Sequence, residues 1–441
     1  MHPTPQTLAA SGPATRDDHV ESVYSKVSWR IMPLLIICYI IAFLDRINIG
    51  YAQLQMKQTL PFSDAVYGLG AGIFFVGYFL FEVPSNLMLE KIGARKTLLR
   101  IMFCWGIVAA GMMFVTTPMQ FYVLRFQLGA FEAGFFPGII LYLTFWYPPA
   151  RRGQMIAIFM TATTIAGIVA GPLSGGIMKW MEGMNGWHGW QWLFLVQGIP
   201  ASILGIVAFL YLQDKPNDAH WLQPAERQLL QDHLNRDKGL VASAGHGSFW
   251  HMLKDPKVYT LALVYFLLLG ATYTMVFWVP TLIQGWGIKD LFMIGIYAAI
   301  PNVVGVIGMV LIGRSSDRNK ERRWHFLVCT AIAAIGLGLT VVTQGSFIGS
   351  MVGLCVAVVG IAAATPLFFT VVSEYLSVAA AAGGIALISS LGNLGAAISP
   401  SVTGAINTAT GTPTYSMFLV MALYLLSGSL LLMAVRPTQR A

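Results

Sequence analysis

Four ionisable side chains interrupt otherwise apolar stretches of this sequence, and their types suit the handling of an anion and a proton. In AFLDRINIG, Asp45 and Arg46 stand about 15 residues into an apolar run, or about 22 Å along a helix rising 1.5 Å per residue. In LRFQLGAFEAG, Arg125 and Glu132 are seven residues apart, nearly two turns. A helix therefore puts them on one face, about 10 Å apart along its axis. An ionisable group in hydrocarbon costs several kcal/mol unless it is paired or faces a cavity, so each of these positions is a candidate for function.

The chemistry follows from the side chains. An arginine presents a fixed fork of donors that fits a carboxylate bidentately and stays charged at any working pH, which makes Arg46 and Arg125 candidate anion ligands. A carboxylate in a low-dielectric cavity tends to hold its proton, and a nearby arginine tends to expel it. The proton occupancy of Asp45 and Glu132 can thus follow whether an arginine is engaged by substrate. The alternative is that Asp45 with Arg125, or Arg46 with Glu132, pairs across the bundle to hold helices together. That is an expensive adhesive where small residues could pack instead.

These residues need a lipid-embedded scaffold. The chain has 441 residues, 56% hydrophobic and 10% charged, with a mean hydropathy of +0.67; a soluble domain carries roughly 25% charged residues. Apolar runs fall at about 30–55, 64–89, 97–116, 119–146, 154–178, 190–212, 257–281, 290–312, 324–343, 348–374, 382–406 and 413–435, which predicts twelve spanning helices. The polar stretch 213–256 splits them into two sets of six. Domains are expected at 1–29 (tail), 30–212 (first bundle), 213–256 (linker), 257–435 (second bundle) and 436–441 (tail). Within the linker, PAERQLLQDHL has the pattern of a short amphipathic helix starting near Pro224.

Charge sets the orientation. With the N-terminus inside, only Lys57, Lys179 and Lys289 fall outside and Arg46 and Arg125 within the membrane, leaving 22 of 27 basic residues cytoplasmic. Both termini, the linker and the segment near 376–381 are then cytoplasmic. The net charge of +8 does not imply a nucleic-acid partner, because the basic residues are scattered between apolar segments. Cys38, Cys104, Cys329 and Cys355 occur singly within apolar runs, so no metal is expected. No GxxxxGK[ST] loop is present for ATP, and none of the eight histidines lies well inside a span to build a catalytic centre. The reading is of a transporter, not an enzyme, with no cofactor beyond the proton as coupling ion. Repeated halves and single intramembrane ion pairs favour alternating access over an open pore.

The connection NLMLEKIGARK after the second run is echoed by GRSSDRNKERR after the eighth. Gly313, Asp317 and Arg318 resemble the loop signature of the major facilitator superfamily; the first copy departs from it, with Asn86 for the glycine and Glu90-Lys91 for Asp-Arg. The resemblance spans essentially the whole chain. It implies an all-α membrane fold of twelve helices in two pseudo-symmetric six-helix bundles, working as a monomer. Glu90, Arg95, Asp317 and Arg318 are read as gating or structural charges.

AFLDRINIG, GYFLFEVPSNL, RFQLGAFEAGFFPG and YLTFWYPPARRG together resemble the anion:cation symporter branch, which includes permeases for tartrate, phthalate, nicotinate and sugar acids such as galactonate. The resemblance implies proton-driven uptake of a small organic carboxylate across a bacterial inner membrane. It makes Asp45 and Glu132 the proton-responsive acids and Arg46, Arg125 and Tyr78 substrate contacts. Asn393, in SLGNLGAAISP, matches an amide the family uses near its substrate. Tyr273, Trp278 and Asn302 are added as contacts from their polarity within apolar runs. Glu82, one turn after Tyr78 and just before Pro84, is a gating or structural candidate, and Glu374 a structural charge at a helix end. AGIVAGPLSGG partly matches the glycine-proline signature of drug:proton antiporters, which leaves efflux as the second reading; close helix packing explains the same glycines.

Overall fold

In the computed structural model, residues 16–242, 254–375 and 378–435 are described, with side chains for all of these except 16–18, 90, 236–242 and 378–383. The tail segments 1–15 and 436–441, linker residues 243–253 and Glu90's side chain lie outside the description. Helix α1 (Arg16–Ile47) and α2 (Ile49–Thr59) form the first span; α3 (Asp64–Ile92) and α4 (Ala94–Gly111) the second and third. The fourth is α5 (Pro118–Glu132) with α6 (Phe135–Thr144), followed by α7 (Pro149–Trp180) and α8 (Gly189–Tyr211). The linker carries α9 (Pro224–Ala242). The second half comprises α10 (Pro256–Gly285), α11 (Leu291–Asn319), α12 (Arg323–Val342), α13 (Phe347–Tyr375), α14 (Val378–Thr410) and α15 (Thr414–Ala434). Among the described residues, twelve helical segments are long and apolar enough to cross a bilayer, and the fold is the expected all-α pair of six-helix bundles.

Three local features depart from the expected runs. The first helix starts at Arg16, so residues 16–29 are not a plain tail: Val23, Tyr24 and Val27 are buried. They pack beside the linker, where Lys26 binds Glu226 at 2.8 Å and the Tyr24 hydroxyl meets His233 Nδ1 at 3.2 Å. Trp221 stacks on Trp146 with centroids 5.9 Å apart, so the linker's start belongs to the first bundle. Second, the linker helix runs on to Ala242, beyond the amphipathic segment. Third, the fourth span is broken after Glu132. Gly134 adopts φ +84°, a left-handed conformation open to glycine, and a Cβ there would come within 2.4 Å of the Ser85 hydroxyl.

The halves close against each other at the face opposite the linker. There α3 packs on α14 and α7 on α11. Gly171 of α7 and Gly295 of α11 meet backbone to backbone: a Cβ on either would stand 2.0–2.2 Å from the other's carbonyl oxygen. The glycines of GPLSGG therefore serve helix packing here, as small residues do in membranes. Lys179 at the end of α7 pairs with Asp290, which also caps α11 by accepting from the Met293 amide at 3.0 Å. The Ala65 amide donates to Thr408 Oγ1 at 2.8 Å, again across the halves.

This seam makes two predictions. Replacing Gly295 with leucine leaves no room for α7 and should hold the halves apart at this face, increasing the spin-label distance between the α7 and α11 ends. Lys179 and the Met293 amide hold the Asp290 carboxyl below the ordinary aspartate range. A depressed carboxyl contributes only while ionised, so the Lys179–Asp290 contact should persist from pH 8 to 5 and weaken as pH falls below about 4, the ordinary aspartate value. Lys179→Gln should then abolish the acid-induced change in that spin-label distance while shifting the closed population at neutral pH only a few-fold, because partly exposed pairs contribute about 0.2–1 kcal/mol.

Candidate functional site

At 1.5 Å per residue, Arg46, Tyr78, Glu132 and Tyr273 all stand about 20 Å from the loops of the closed face, so four helices deliver them to one layer near mid-membrane. Arg125 and Trp278 lie about 10 Å from those loops, and Glu82 and Asn393 about 26 Å. The helix break at residues 133–134 leaves Glu132 as the last residue of α5, pointing into this layer.

The Arg46 guanidinium donates through Nε, at 3.1 Å, and through one terminal nitrogen to the same Glu132 oxygen, Oε1. Its other terminal nitrogen donates to the Tyr273 hydroxyl at 3.2 Å, so the pair already reaches the second bundle. The rings of Tyr78 and Phe74 flank the guanidinium at 5.4 and 5.6 Å. Glu132 is 0% exposed, and its second oxygen, Oε2, has no partner among the described residues. Of the two cross-bundle pairings open in the sequence, this one is formed.

The Asp45–Arg125 pairing is not. Asp45, 2% exposed, accepts from the Trp105 indole at 2.6 Å and from the Asn48 amide at 3.1 Å. Both partners are neutral donors, and among the described residues Asp45 forms no salt bridge. Arg125, 0% exposed, donates from Nε to the Gly70 carbonyl at 3.1 Å and lies 4.9 Å over the Phe74 ring. Its Nη2 is buried with no partner among the described residues. A buried guanidinium nitrogen without an acceptor carries a large desolvation cost, which an incoming oxyanion would relieve.

The remaining candidates separate. Asn302 donates to the Gly167 carbonyl at 3.2 Å, bridging the halves, and to its own helix at Ala298. Trp278 is 3% exposed, edge-on to Tyr67 at 5.0 Å, and stands a full 10 Å layer away from Arg46. Asn393 is half-buried on α14. Arg95 donates to the Phe209 carbonyl at 2.9 and 2.6 Å, and Asp317 pairs with Arg322 at 2.6 Å, which also reaches Glu374 at 3.3 Å. These loop contacts stay within their own halves. Trp105 and Asn48 are partners the sequence reading missed. An indole donor within a spanning run was the available signal, but nothing local says which acid it faces. Two hollows are lined from α10, α14 and α15, and neither is lined by Arg46, Arg125 or Glu132.

Residues 35–389 match the Major Facilitator Superfamily, and the chain belongs to it. It is 44% identical over 419 residues to an Agrobacterium vitis protein named for tartrate transport, covering 95% of this chain and 92% of that one. It is 43% identical to NicT of Pseudomonas putida, named for metabolite transport (93% and 94% covered), and 39% identical to a quinolone resistance transporter of Acinetobacter baumannii (91% and 92% covered). The fold matches a bacterial homologue of the lysosomal transporter Spinster with a TM-score of 0.76 at 18% identity, over 93% of this chain and 97% of that one. The protein is a multi-pass membrane transporter.

The Arg46–Glu132 pair yields a stability prediction. Arg46→Ala leaves Glu132 uncompensated and should cost about 3–5 kcal/mol, whereas Arg46→Ala with Glu132→Gln should recover much of it. Thermal unfolding in detergent checks this; a double variant no more stable than Arg46→Ala alone would contradict the pairing.

Proposed function

We propose that the protein is a proton-coupled symporter that takes up a small organic carboxylate, tartrate-like, sugar-acid or aromatic, across the inner membrane of a bacterium. The observation that carries this reading is the unpartnered Nη2 of fully buried Arg125, one layer from Arg46, whose fork is occupied by Glu132. Two arginines stacked on the Phe74 ring offer an oxyanion site that one carboxylate half fills. The name of the Agrobacterium relative supports the substrate class.

The cycle follows from charge balance. Protonation of Glu132 weakens its hold on Arg46, which, with Tyr78 and Tyr273 beside it, then turns its fork to the substrate carboxylate; Arg125 supplies the second set of donors. Asp45, held by Trp105 and Asn48, is a second proton site able to titrate without an arginine. When substrate leaves, Arg46 recaptures Glu132 and the proton is expelled. The distribution of basic residues makes the linker face cytoplasmic, so closure of the opposite face corresponds to an inward-facing state. More than one proton per anion would let the membrane potential contribute, at about 2.3 kcal/mol per charge per 100 mV.

The second reading is efflux by proton antiport, favoured by the name of the Acinetobacter relative. The test is uptake of a panel of labelled carboxylates, tartrate first, into proteoliposomes under an inward proton gradient. Wild type should accumulate one acid in a protonophore-sensitive way, with Arg125→Ala and Glu132→Gln each at least ten-fold slower. No uptake of any acid, with a fluoroquinolone driven against the proton gradient, would establish antiport instead.

A further inference from the structure

Glu82 has no place in the cycle above, yet it is an acid on the inner face of a spanning helix. Its neighbours Phe81, Val83 and Pro84 are exposed on the outer surface of α3, while Glu82 is only half-exposed and follows Tyr78 by one turn. Its Oε2 accepts from the Ser390 hydroxyl of α14 at 3.4 Å. This side-chain hydrogen bond joins the halves on the linker side of the Arg46 layer, whereas those of Ala65, Lys179, Gln53, Tyr67 and Ser401 lie on the closed side. No lysine, arginine or histidine nitrogen within 4 Å neutralises it among the described residues. Pairing would be the ordinary solution for a structural acid at this depth, and here it is missing.

We propose that Glu82 is the exit-side proton acceptor of the transport cycle. The proposal rests on the proton-coupled reading. Glu82 stands about 6 Å, one helical turn, beyond the Arg46–Glu132 layer toward the linker face. When Glu132 re-pairs with Arg46, its O–H bond breaks and a water carries the proton to a Glu82 oxygen, where the new O–H bond forms. Glu82 then releases it to water at the linker face and returns to carboxylate, so one proton crosses and no group is left changed. The charged and titratable groups facing it are Arg46 from α1 and Tyr78 on its own helix; α14 presents the neutral Ser390. With one arginine already committed to Glu132, Glu82 is free to alternate.

Net proton-driven uptake requires this release, whereas exchange of labelled for unlabelled substrate across an occupied carrier does not. In proteoliposomes, Glu82→Gln should slow net uptake of the accumulated acid at least ten-fold while exchange stays within about two-fold of wild type, and Glu82→Asp should restore net uptake to within about three-fold. Net uptake by Glu82→Gln within two-fold of wild type would overturn the proposal. So would equal loss of exchange and net uptake, which would make Glu82 a binding or structural group. If Glu82→Gln does not insert, Glu82→Ala decides in its place: the same selective loss of net uptake over exchange is expected, and an unchanged ratio of net uptake to exchange overturns the role. Wild-type uptake indifferent to protonophore would refute proton coupling itself and is read separately, before any variant.

Discussion

A salt bridge buried among apolar helices constrains this molecule more than any other contact. Arg46 and Glu132 come from different helices of the first bundle, and the arginine also reaches Tyr273 of the second. Removing two charges from water is repaid only when the geometry is good and the remaining donors find partners. Here the arithmetic is left incomplete: Glu132 Oε2 and Arg125 Nη2 are both buried and unpartnered. A site built only to hold helices together would close both. An arrangement one oxyanion short of satisfaction is instead suited to exchanging partners, with protonation of one acid releasing one arginine.

In the proposed cycle the rest of the fold serves that exchange. The break at Gly134 ends α5 at Glu132 and lets the chain turn before α6, so the carboxylate projects from a helix terminus into the bundle. The Gly171–Gly295 contact lets the halves close at one face without side chains between them, while the linker helix is fastened to the first bundle through Lys26–Glu226 and Trp146–Trp221. The Glu226 carboxyl, partly desolvated but bound by Lys26 and the Gln223 amide, is held below its ordinary range. A carboxyl so depressed stays ionised throughout the physiological range and holds the linker with it, loosening only in acid below the ordinary glutamate value of about 4.3. The first bundle thus carries charges and linker, and the second supplies Tyr273 and a largely neutral wall.

Much of this was legible in the sequence because the membrane leaves few options. Hydropathy marked the twelve spans, and charges within them marked Asp45, Arg46, Arg125 and Glu132. Pairing was not legible. Arg125 and Glu132 share a face of α5, but the break one residue past Glu132 and the approach of α1 give Glu132 to Arg46 instead. Asp45 goes to Trp105, a partner sixty positions away that hydropathy counts only as apolar. Trp278 and Tyr273 look alike as aromatics in one run, yet five residues of helix rise put only Tyr273 in the Arg46–Glu132 layer. Residues 16–29 read as a tail because they are polar; their buried face, Val23, Tyr24 and Val27, meets the linker, a surface no local pattern reveals.

The central claim is that Glu132 and the substrate carboxylate compete for Arg46, which links anion binding to a proton. Calorimetric titration of the acid selected by the uptake panel, at one pH in buffers of differing ionisation enthalpy, counts that proton directly. Substrate binding should take up close to one proton per anion in wild type and markedly less in Glu132→Gln. Binding with no proton uptake, or uptake unchanged by Glu132→Gln, would contradict the account.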